Sequence, residues 1–200
     1  MEKQIQSNLK SKDRKAPLAV ALLHYPTIDR QGDLVATNVT HFDIHDIARA
    51  CRVYGVDRYY IVHPNQDQQM FVDRVLDHWR TGEGAKFNPM RKTALVDVKT
   101  ISDVEKLKQD WGYPNARIVA THARALPGQE KFTFSRFKQE LYTTDEPYIL
   151  VFGTGFGLTH DFMKSCYAVL DPIKGDSFDD YRHLSVRSAV SICLDRLMGT

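Results

Sequence analysis

Short apolar runs recur along the chain, and segments with the residue spacing of amphipathic helices separate them. Apolar runs of about four to eight residues bounded by turn formers are typical of strands buried on both faces, as in parallel sheets. Between two of them, VTHFDIHDIARACRVYG predicts a helix that Thr40 caps and Gly55 ends. The alternation predicts an α/β domain with a mainly parallel sheet flanked by helices. The predicted strands are LAVALLH (18–24), RYYIVH (58–63), TALVDV (93–98), ARIVAT (116–121), PYILVF (147–152) and YAVLDP (167–172).

The other predicted helices follow the same reasoning from spacing and caps. Thr100 and Asp103 have the spacing of a capping box, which predicts a helix from Thr100 through Trp111. The polar stretches YPTIDRQGDLVATN and TGEGAKFNP contain turn formers and are predicted to be loops. The remaining helices are predicted over 66–80, 134–142, 158–166 and 183–199.

The domain organisation is predicted to be simple. The 200 residues, of which 42% are hydrophobic, suit one domain with a sizeable core better than two. Residues 1–16 are polar and basic without periodicity, so we expect a flexible basic arm there and a single domain over 17–200. No apolar run approaches the roughly 20 residues of a membrane span, and the N-terminus lacks the apolar part of a secretory signal. Three cysteines without a CxxC pair indicate reduced thiols, which predicts a cytoplasmic protein.

The stretch YILVFGTGFGL (148–158) places glycines at 153, 155 and 157 directly after a predicted strand. A strand, a glycine-rich loop and a helix in this order form a common ligand site, because a ligand can approach the bare backbone at the start of the helix. The dinucleotide fingerprint would need a third glycine where Leu158 stands, and the Lys-Ser/Thr pair of a P-loop is missing. The loop is therefore predicted to bind a ligand other than a simple phosphate, unless its glycines only relieve strain in a tight turn.

A doubly wound methyltransferase also has a strand, GxGxG, a helix and a second strand that ends in an acid, here Asp171. Two observations count against this comparison. Only the short segment LTHDFMKSC could form the intervening helix, whereas a parallel crossover usually needs about a dozen residues or more. The motif also lies late in the 200-residue chain, although in that class it opens the domain.

Read together, three segments resemble the motifs of the SPOUT superfamily of RNA methyltransferases. They are TNVTHFDIHDIARACRVYGVDRYYIV, which carries Asn38, Arg49 and Gly55, then YILVFGTGFGL, and finally YAVLDPI with HLSVRSAVSICLDRL. The resemblance covers roughly residues 18–198 and is strongest to small stand-alone bacterial members. It implies a deep trefoil knot at the C-terminal end, S-adenosyl-L-methionine (SAM) as cofactor, and methyl transfer to tRNA or rRNA. It also implies a homodimer whose sites are completed by the partner's surface.

The chain departs from the SPOUT pattern at two positions. Many members have a Glu soon after the first glycine of the second motif, where this chain has Gly155. The third motif often has an Asn before its Ser, whereas here His183 and Leu184 precede Ser185. The base and the RNA specificity therefore stay open, while the cofactor pocket is still expected.

The resemblance implies that three loops hold SAM, with Leu158, Ile173 and Leu184 around the adenine ring. It also places Arg49 at the reacting centre and gives Asn38 a motif position, and Asp43, at the start of the same helix, is the third candidate catalytic residue. Since an arginine is essentially always protonated, Arg49 is expected to bind a phosphate or to orient the nucleophile. Asp43, His45 and Asp46 all remain candidates for the base. The residues expected to bind SAM are Thr121, His122, Ala123, Gly153, Thr154, Gly155, Gly157, Leu158, Ile173, Leu184 and Ser185.

Other readings of the sequence remain open. The net charge of +2 does not by itself indicate nucleic acid, and the basic clusters could be solvated surface. His41 and His45 have a metal-ligand spacing, but HFDIH lacks the Glu of a zinc-protease helix, so no metal is predicted. Two functional alternatives remain: an inactive SAM- or RNA-binding module of the same fold, and a nucleotide-dependent enzyme of the doubly wound class.

Overall fold

The computed structural model describes residues 13–124 and 131–200. Its main feature is a seven-stranded sheet in which every pair of neighbouring strands is parallel, in the order β5-β4-β1-β8-β6-β9-β7. A separate antiparallel pair, β2 and β3, forms a hairpin between β1 and the first helix. The strands are β1 (Leu18–Leu23), β2 (Thr27–Ile28), β3 (Leu34–Val35), β4 (Arg58–Val62), β5 (Val98–Ile101), β6 (Arg117–Thr121), β7 (Lys131–Phe132), β8 (Tyr148–Gly153) and β9 (Ala168–Leu170).

Helices cover both faces of the sheet, so the predicted α/β architecture with a parallel sheet is confirmed. The helices are α1 (His41–Val53), α2 (Gln66–Arg80), α3 (Glu83–Phe87), α4 (Pro89–Leu95), α5 (Val104–Trp111), α6 (Phe134–Thr143), α7 (His160–Ser165) and α8 (Val186–Met198).

The central strands β1 and β8 explain why the sequence reads as continuous apolar runs there. All six residues of β1 are buried, and successive side chains alternate between two cores. Leu18, Val20 and Leu22 join the core under α1, α2, α6 and α8. Ala19 and its alternate neighbours join the core under α5 and α7. Because β1 is buried on both faces, polar residues do not alternate with apolar ones along it, and its sequence LAVALL is apolar throughout.

The region from 81 to 103 differs from the prediction. TALVDV was predicted to be a strand, but its first half ends helix α4 and the strand β5 begins only at Val98. The cause is local, since the Asn88 side chain accepts a hydrogen bond from Arg91 N (2.9 Å) and Pro89 occupies the first turn. The predicted loop TGEGAKFNP contains α3. The next helix begins later than predicted, because Asp103, and not Thr100, is its N-cap.

The C-terminal part of the chain runs from β9, near one edge of the sheet, back to its centre, where α8 packs against α1. Ser185 caps α8 as predicted by its position before the helix, with Ser188 N donating to its hydroxyl (3.2 Å). The trefoil knot implied by the SPOUT resemblance stays a prediction.

The described part of the chain contains neither a membrane-spanning helix nor a metal-binding cluster. None of its helices has the length and hydropathy needed to cross a bilayer. Across 13–124 and 131–200, no group of three or more His, Cys, Asp or Glu side chains could hold a metal ion. The rings of His41 and His45 lie parallel, 6.5 Å apart, on α1.

Within the predicted basic arm, Ala16 and the side chain of Arg14 are buried, while residues 1–12 lie outside the described part of the chain. The Arg14 side chain is 2% exposed, and its Nη2 donates to Gly55 O (2.8 Å) and to Asp57 Oδ2 (3.1 Å). Asp57 Oδ2 also accepts a hydrogen bond from Leu18 N (2.7 Å), at the start of β1. The ion pair therefore fixes the chain just before the central strand to the loop after α1.

Replacing Arg14 by alanine should lower the free energy of unfolding by about 3 kcal/mol, because it leaves the Asp57 carboxylate largely buried without its counter-charge. Urea unfolding followed by circular dichroism measures this difference. The exposed neighbour Lys15 provides the control, since Lys15→Ala should change the same free energy by less than about 0.5 kcal/mol. Equal midpoints for the two variants would show that the Arg14 pair contributes nothing.

Candidate functional site

A cleft of about 960 Å³ opens at the carboxyl ends of the central strands. This is where parallel α/β sheets bind their ligands, because the loops that follow the strands converge there. Its walls come from five segments: 28–32, 37–43, 121–124, 152–157 and 171–193.

The glycine loop after β8 forms one wall with bare backbone. A Cβ atom on Gly153 would approach Leu158 Cγ to 2.7 Å, so no side chain fits at the point where the strand ends. Gly155 has φ +60°, and a Cβ there would lie 3.0 Å from Ile28 O. Both positions thus need glycine, because neighbouring atoms fill the space where a side chain would stand, and both residues line the cleft.

The hairpin β2–β3 forms the adjacent wall and is joined to the glycine loop by backbone hydrogen bonds. Ile28 N donates to Gly157 O (3.0 Å), and Phe156 N donates to Ile28 O (3.0 Å). At the tip, Asp29 Oδ1 accepts from Gln31 N (2.8 Å) and from Asp33 N (2.9 Å). The tip is therefore a hydrogen-bonded turn that lines the cleft.

The start of α1 brings a buried carboxylate to the cleft. Asp43 is 4% exposed, and its Oδ2 accepts from Thr40 Oγ1 (2.6 Å) and Thr40 N (3.2 Å) in a capping box. Its Oδ1 accepts from Arg187 Nη1 (3.1 Å). Because both oxygens are occupied, Asp43 is better placed to hold Arg187 than to take a proton from a substrate.

Arg187 is a cleft residue that the sequence reasoning missed. Besides Asp43, its guanidinium lies 3.6 Å from Asp46 Oδ2 and 5.5 Å from the centre of the Phe42 ring. It stands in the first turn of α8, where the helix dipole disfavours a positive charge. The sequence did contain a signal for Arg187, namely a basic residue in the first turn of a predicted helix. A positive charge there needs acidic partners, such as those on α1.

Four arginines and three aspartates line the cleft, the aspartates being Asp29, Asp43 and Asp171. Arg30, Arg124, Arg182 and Arg187 all line it. Arg182 pairs with Asp180 (2.6 Å) and Arg187 with Asp43. Within residues 13–124 and 131–200, Arg30 and Arg124 have no acidic partner within ion-pair distance, so their charges are available to an anionic ligand.

The structure brings together most of the residues proposed for SAM. Leu158 is the exception, because its side chain is 1% exposed and packs in the core beneath Gly153. Ile173 and Leu184, the other two residues expected around the adenine ring, do line the cleft. The cleft-lining residues among those proposed are Thr121, His122, Ala123, Gly153, Thr154, Gly155, Gly157, Ile173, Leu184 and Ser185. Their roles stay predictions.

Two of the three candidate catalytic residues lie at the cleft, and the third does not. Asn38 and Asp43 line the cleft, whereas Arg49 lies on the exposed side of α1, about 9 Å along the helix from Asp43. The two alternative bases, His45 and Asp46, do not line the cleft either. Burial and the nearby charge of Arg91 lower the pKa of His45, which packs edge-on against Trp79. The roles of Asn38, Asp43 and Arg49 stay predictions.

Comparison with known proteins connects this geometry to a family. A model of the family described as SAM-dependent RNA methyltransferase matches residues 17–199. The chain belongs to this family. An uncharacterized protein of Aquifex aeolicus is 38% identical over 183 residues, which are 90% of this chain and 87% of that protein.

Two further relatives of this methyltransferase are much longer. A tRNA (guanine-N(1)-)-methyltransferase of Oleidesulfovibrio alaskensis is 38% identical over 198 residues, which are 96% of this chain but 45% of the relative. A protein of the same name from Nitratidesulfovibrio vulgaris is 36% identical over 91% of this chain and 42% of its own length. The methyltransferase described here thus spans less than half of the length of these two proteins.

Solved structures share the fold of the methyltransferase. TrmJ from Z. mobilis superimposes with a TM-score of 0.62 at 16% identity, over 92% of this chain and 70% of that one. The A. aeolicus TrmH/SpoU tRNA modifying enzyme gives a TM-score of 0.55 at 18% identity, over 98% and 80% of the two chains. At these identities the likeness shows the fold alone, which agrees with the SPOUT resemblance, while the family match identifies the chain. The family match also decides against a nucleotide-dependent enzyme of the doubly wound class.

The cofactor of this family is SAM, and the cleft of the methyltransferase suits it. Gly153 and Gly155 line the cleft with backbone, and Ile173 and Leu184 supply apolar surface for a planar ring. A volume of about 960 Å³ leaves room for a second ligand beside the cofactor. The residues present therefore fit the cofactor.

Gly155→Ala should weaken SAM binding at least about tenfold, because a residue without glycine's freedom is strained by about 1–3 kcal/mol at φ +60° and the loop must shift to relieve it. Isothermal titration calorimetry measures the effect. Gly175→Ala is the matched control, since a Cβ at Gly175 meets nothing within 4 Å. If both variants bind SAM like the wild type, the glycine loop is not a cofactor contact.

Proposed function

We propose that the protein transfers the methyl group of SAM to a nucleotide of tRNA. The observation that carries the proposal is one cleft lined by the glycine loop and by Arg30 and Arg124, which have no acidic partner among the described residues. The first feature suits a cofactor with a planar ring, and the second suits a polyanion. Family membership supports RNA as the acceptor.

The choice of tRNA rests on the two longer relatives. In each, the region similar to this chain shares one polypeptide with a second, larger region, and the whole carries the name tRNA (guanine-N(1)-)-methyltransferase. Linking two modules raises the effective concentration of each at a common substrate. The linkage favours tRNA for both regions, although guanine N1 need not be the atom that the region similar to this chain modifies.

The chain's own residues would contribute mainly by holding and orienting. SAM supplies an activated methyl group on a sulfonium, and transfer requires alignment with the attacking atom. Such alignment is worth up to roughly 7–11 kcal/mol in favourable cases. Asn38 offers an amide at the cleft, and Asp43 holds Arg187 in a fixed position there. In this proposal, Arg187 orients the acceptor nucleotide and Asp43 acts through it.

We also propose a homodimer in which Arg49 of one copy completes the cleft of its partner. The support is the surface of α1, where Arg49 is exposed together with Phe42 (66% exposed) and Val53 (76% exposed). Large apolar side chains exposed on one helix favour a protein partner. Sedimentation equilibrium tests this part, and a monomer at all concentrations would contradict it.

The deciding experiment combines calorimetry with methyl-labelled SAM. RNA from a strain that lacks the gene is separated into tRNA and rRNA, and each fraction is incubated with the enzyme. We expect saturable SAM binding and label in tRNA alone. Label in rRNA would contradict tRNA as the substrate. SAM binding without label in either fraction would favour an inactive SAM-binding module, and the absence of SAM binding would overturn the proposal.

Arg30→Ala should raise the KM for tRNA about fivefold to tenfold, since the variant removes a positive charge at the cleft. The slope of the logarithm of the tRNA binding constant against the logarithm of the salt concentration should become shallower by about one, as expected for the loss of one phosphate contact. The dissociation constant for SAM should not change. Arg74→Ala, an exposed arginine on α2 outside the cleft, is the control. Equal losses in the two variants would indicate non-specific attraction only.

A further inference from the structure

Two buried histidines lie directly beneath the cleft, and the proposed reaction does not use them. His24 is fully buried after β1, and His63 is 4% exposed after β4. Their ring centroids are 5.8 Å apart. Both make hydrogen bonds to Thr37, which lines the cleft just before α1.

The hydrogen bonds of His63 define its protonation. Asn65 N donates to His63 Nδ1 (3.0 Å), so Nδ1 carries no proton. His63 Nε2 lies 3.0 Å from Thr37 O, which can only accept, so Nε2 carries the proton. The ring is therefore neutral with its proton on Nε2, and burial lowers its pKa.

The hydrogen bonds of His24 define the opposite tautomer. Thr154 Oγ1 donates to Leu23 O (3.1 Å), which uses its single proton, so in its bond with Thr37 the Thr37 hydroxyl is the donor. Thr37 Oγ1 must then accept from His24 Nδ1 (2.9 Å). His24 Nε2 is left as a buried acceptor without a partner among the described residues. Burial lowers the pKa of His24 from 6.5 to about 4, in agreement with a neutral ring.

We propose that His24 and His63 are positioning residues that hold Thr37 from both sides and, through its bond to Thr154, fix the glycine loop in its cofactor-binding form. The inference rests on the proposed function, because it takes the glycine loop as the SAM contact. An apolar residue would fill the place of His24 without leaving a buried nitrogen unpaired, so the hydrogen bond to Thr37 is the reason for a histidine there.

The arrangement also links the two sides of the cleft. Thr37 N donates to His24 O (3.0 Å), so the segment that leads to Asn38 and α1 is tied to the end of β1. The same threonine bonds to Thr154 in the glycine loop. Loss of the His24 bond therefore loosens the loop and the neighbouring segment together.

The test uses variants that separate the hydrogen bond from the bulk of the ring. His24→Leu should weaken SAM binding about tenfold in calorimetry, and Thr37→Val, which removes the bonds to both His24 and Thr154, should weaken it at least as much. The double variant should bind SAM about as well as Thr37→Val alone, because the His24 bond is already lost there. His24→Asn should bind SAM within about twofold of the wild type, since its amide nitrogen lies as many bonds from the backbone as Nδ1. Wild-type affinity in His24→Leu, or equal losses in His24→Asn and His24→Leu, would overturn the inference.

A second measurement works without SAM and separates this inference from the proposed function. Amide hydrogen exchange at Phe156 and Gly157, which donate to Ile28 O and Thr154 O, should be about tenfold faster in His24→Leu than in the wild type. If the wild type does not bind SAM but exchange accelerates in the variant, the proposed function fails and the positioning role stands. Unchanged exchange rules the positioning role out. Imidazole nitrogen spectra should also show the proton on Nδ1 of His24 and on Nε2 of His63, and the same tautomer in both rings would contradict the network.

Discussion

The parallel pairing of β1 with β8 is the constraint on which the rest of the structure depends. Its register runs from Leu18 beside Tyr148 to Leu23 beside Gly153, so the strand that starts the domain and the strand that precedes the glycine loop end at the same level. The chain after β1 brings His24 and the hairpin to this level, and the chain after β8 brings the glycine loop. A slip of one residue would turn every buried side chain to the opposite core and separate Thr37 from Thr154.

Buried polarity is concentrated at this same end of the sheet. Within residues 13–124 and 131–200 the buried polar side chains are His24, Thr27, Asp43 and His63. Each is held by neighbours: Thr27 Oγ1 donates to Val35 O (2.9 Å) across the hairpin, and Asp43 accepts from Thr40 and Arg187. Buried polar groups lower stability unless they are paired, so their grouping around one cleft marks the part of the fold that is shaped for ligands.

The sequence predicted what depends on local pattern and missed what depends on distant contacts. The runs at β1, β4 and β8 are apolar on both faces, and the caps at Thr40 and Ser185 are local, so these were predictable. The strand predicted at TALVDV was wrong because capping by Asn88 and Pro89 outweighed β-branched composition. The hairpin β2–β3 looked like a polar loop because its partners, such as Gly157, lie more than a hundred residues away. Leu158 was expected at the cleft, and only the structure shows its side chain turned into the core.

The hairpin also explains why this chain has Gly155 where many SPOUT members have a Glu. A Cβ at Gly155 would lie 3.0 Å from Ile28 O and 3.3 Å from Thr37 Cγ2, so the space that a side chain would need is filled by the hairpin and by the segment before α1. At φ +60° the backbone also disfavours any other residue. In this chain, the hairpin thus occupies the space that a side chain at position 155 would need. The hairpin tip also brings charge to this wall, since Asp29 and Arg30 both line the cleft. The Asp29 carboxylate is bonded to backbone amides within the turn, whereas Arg30 has no acidic partner among the described residues, so the arginine is the tip group that can contact a phosphate.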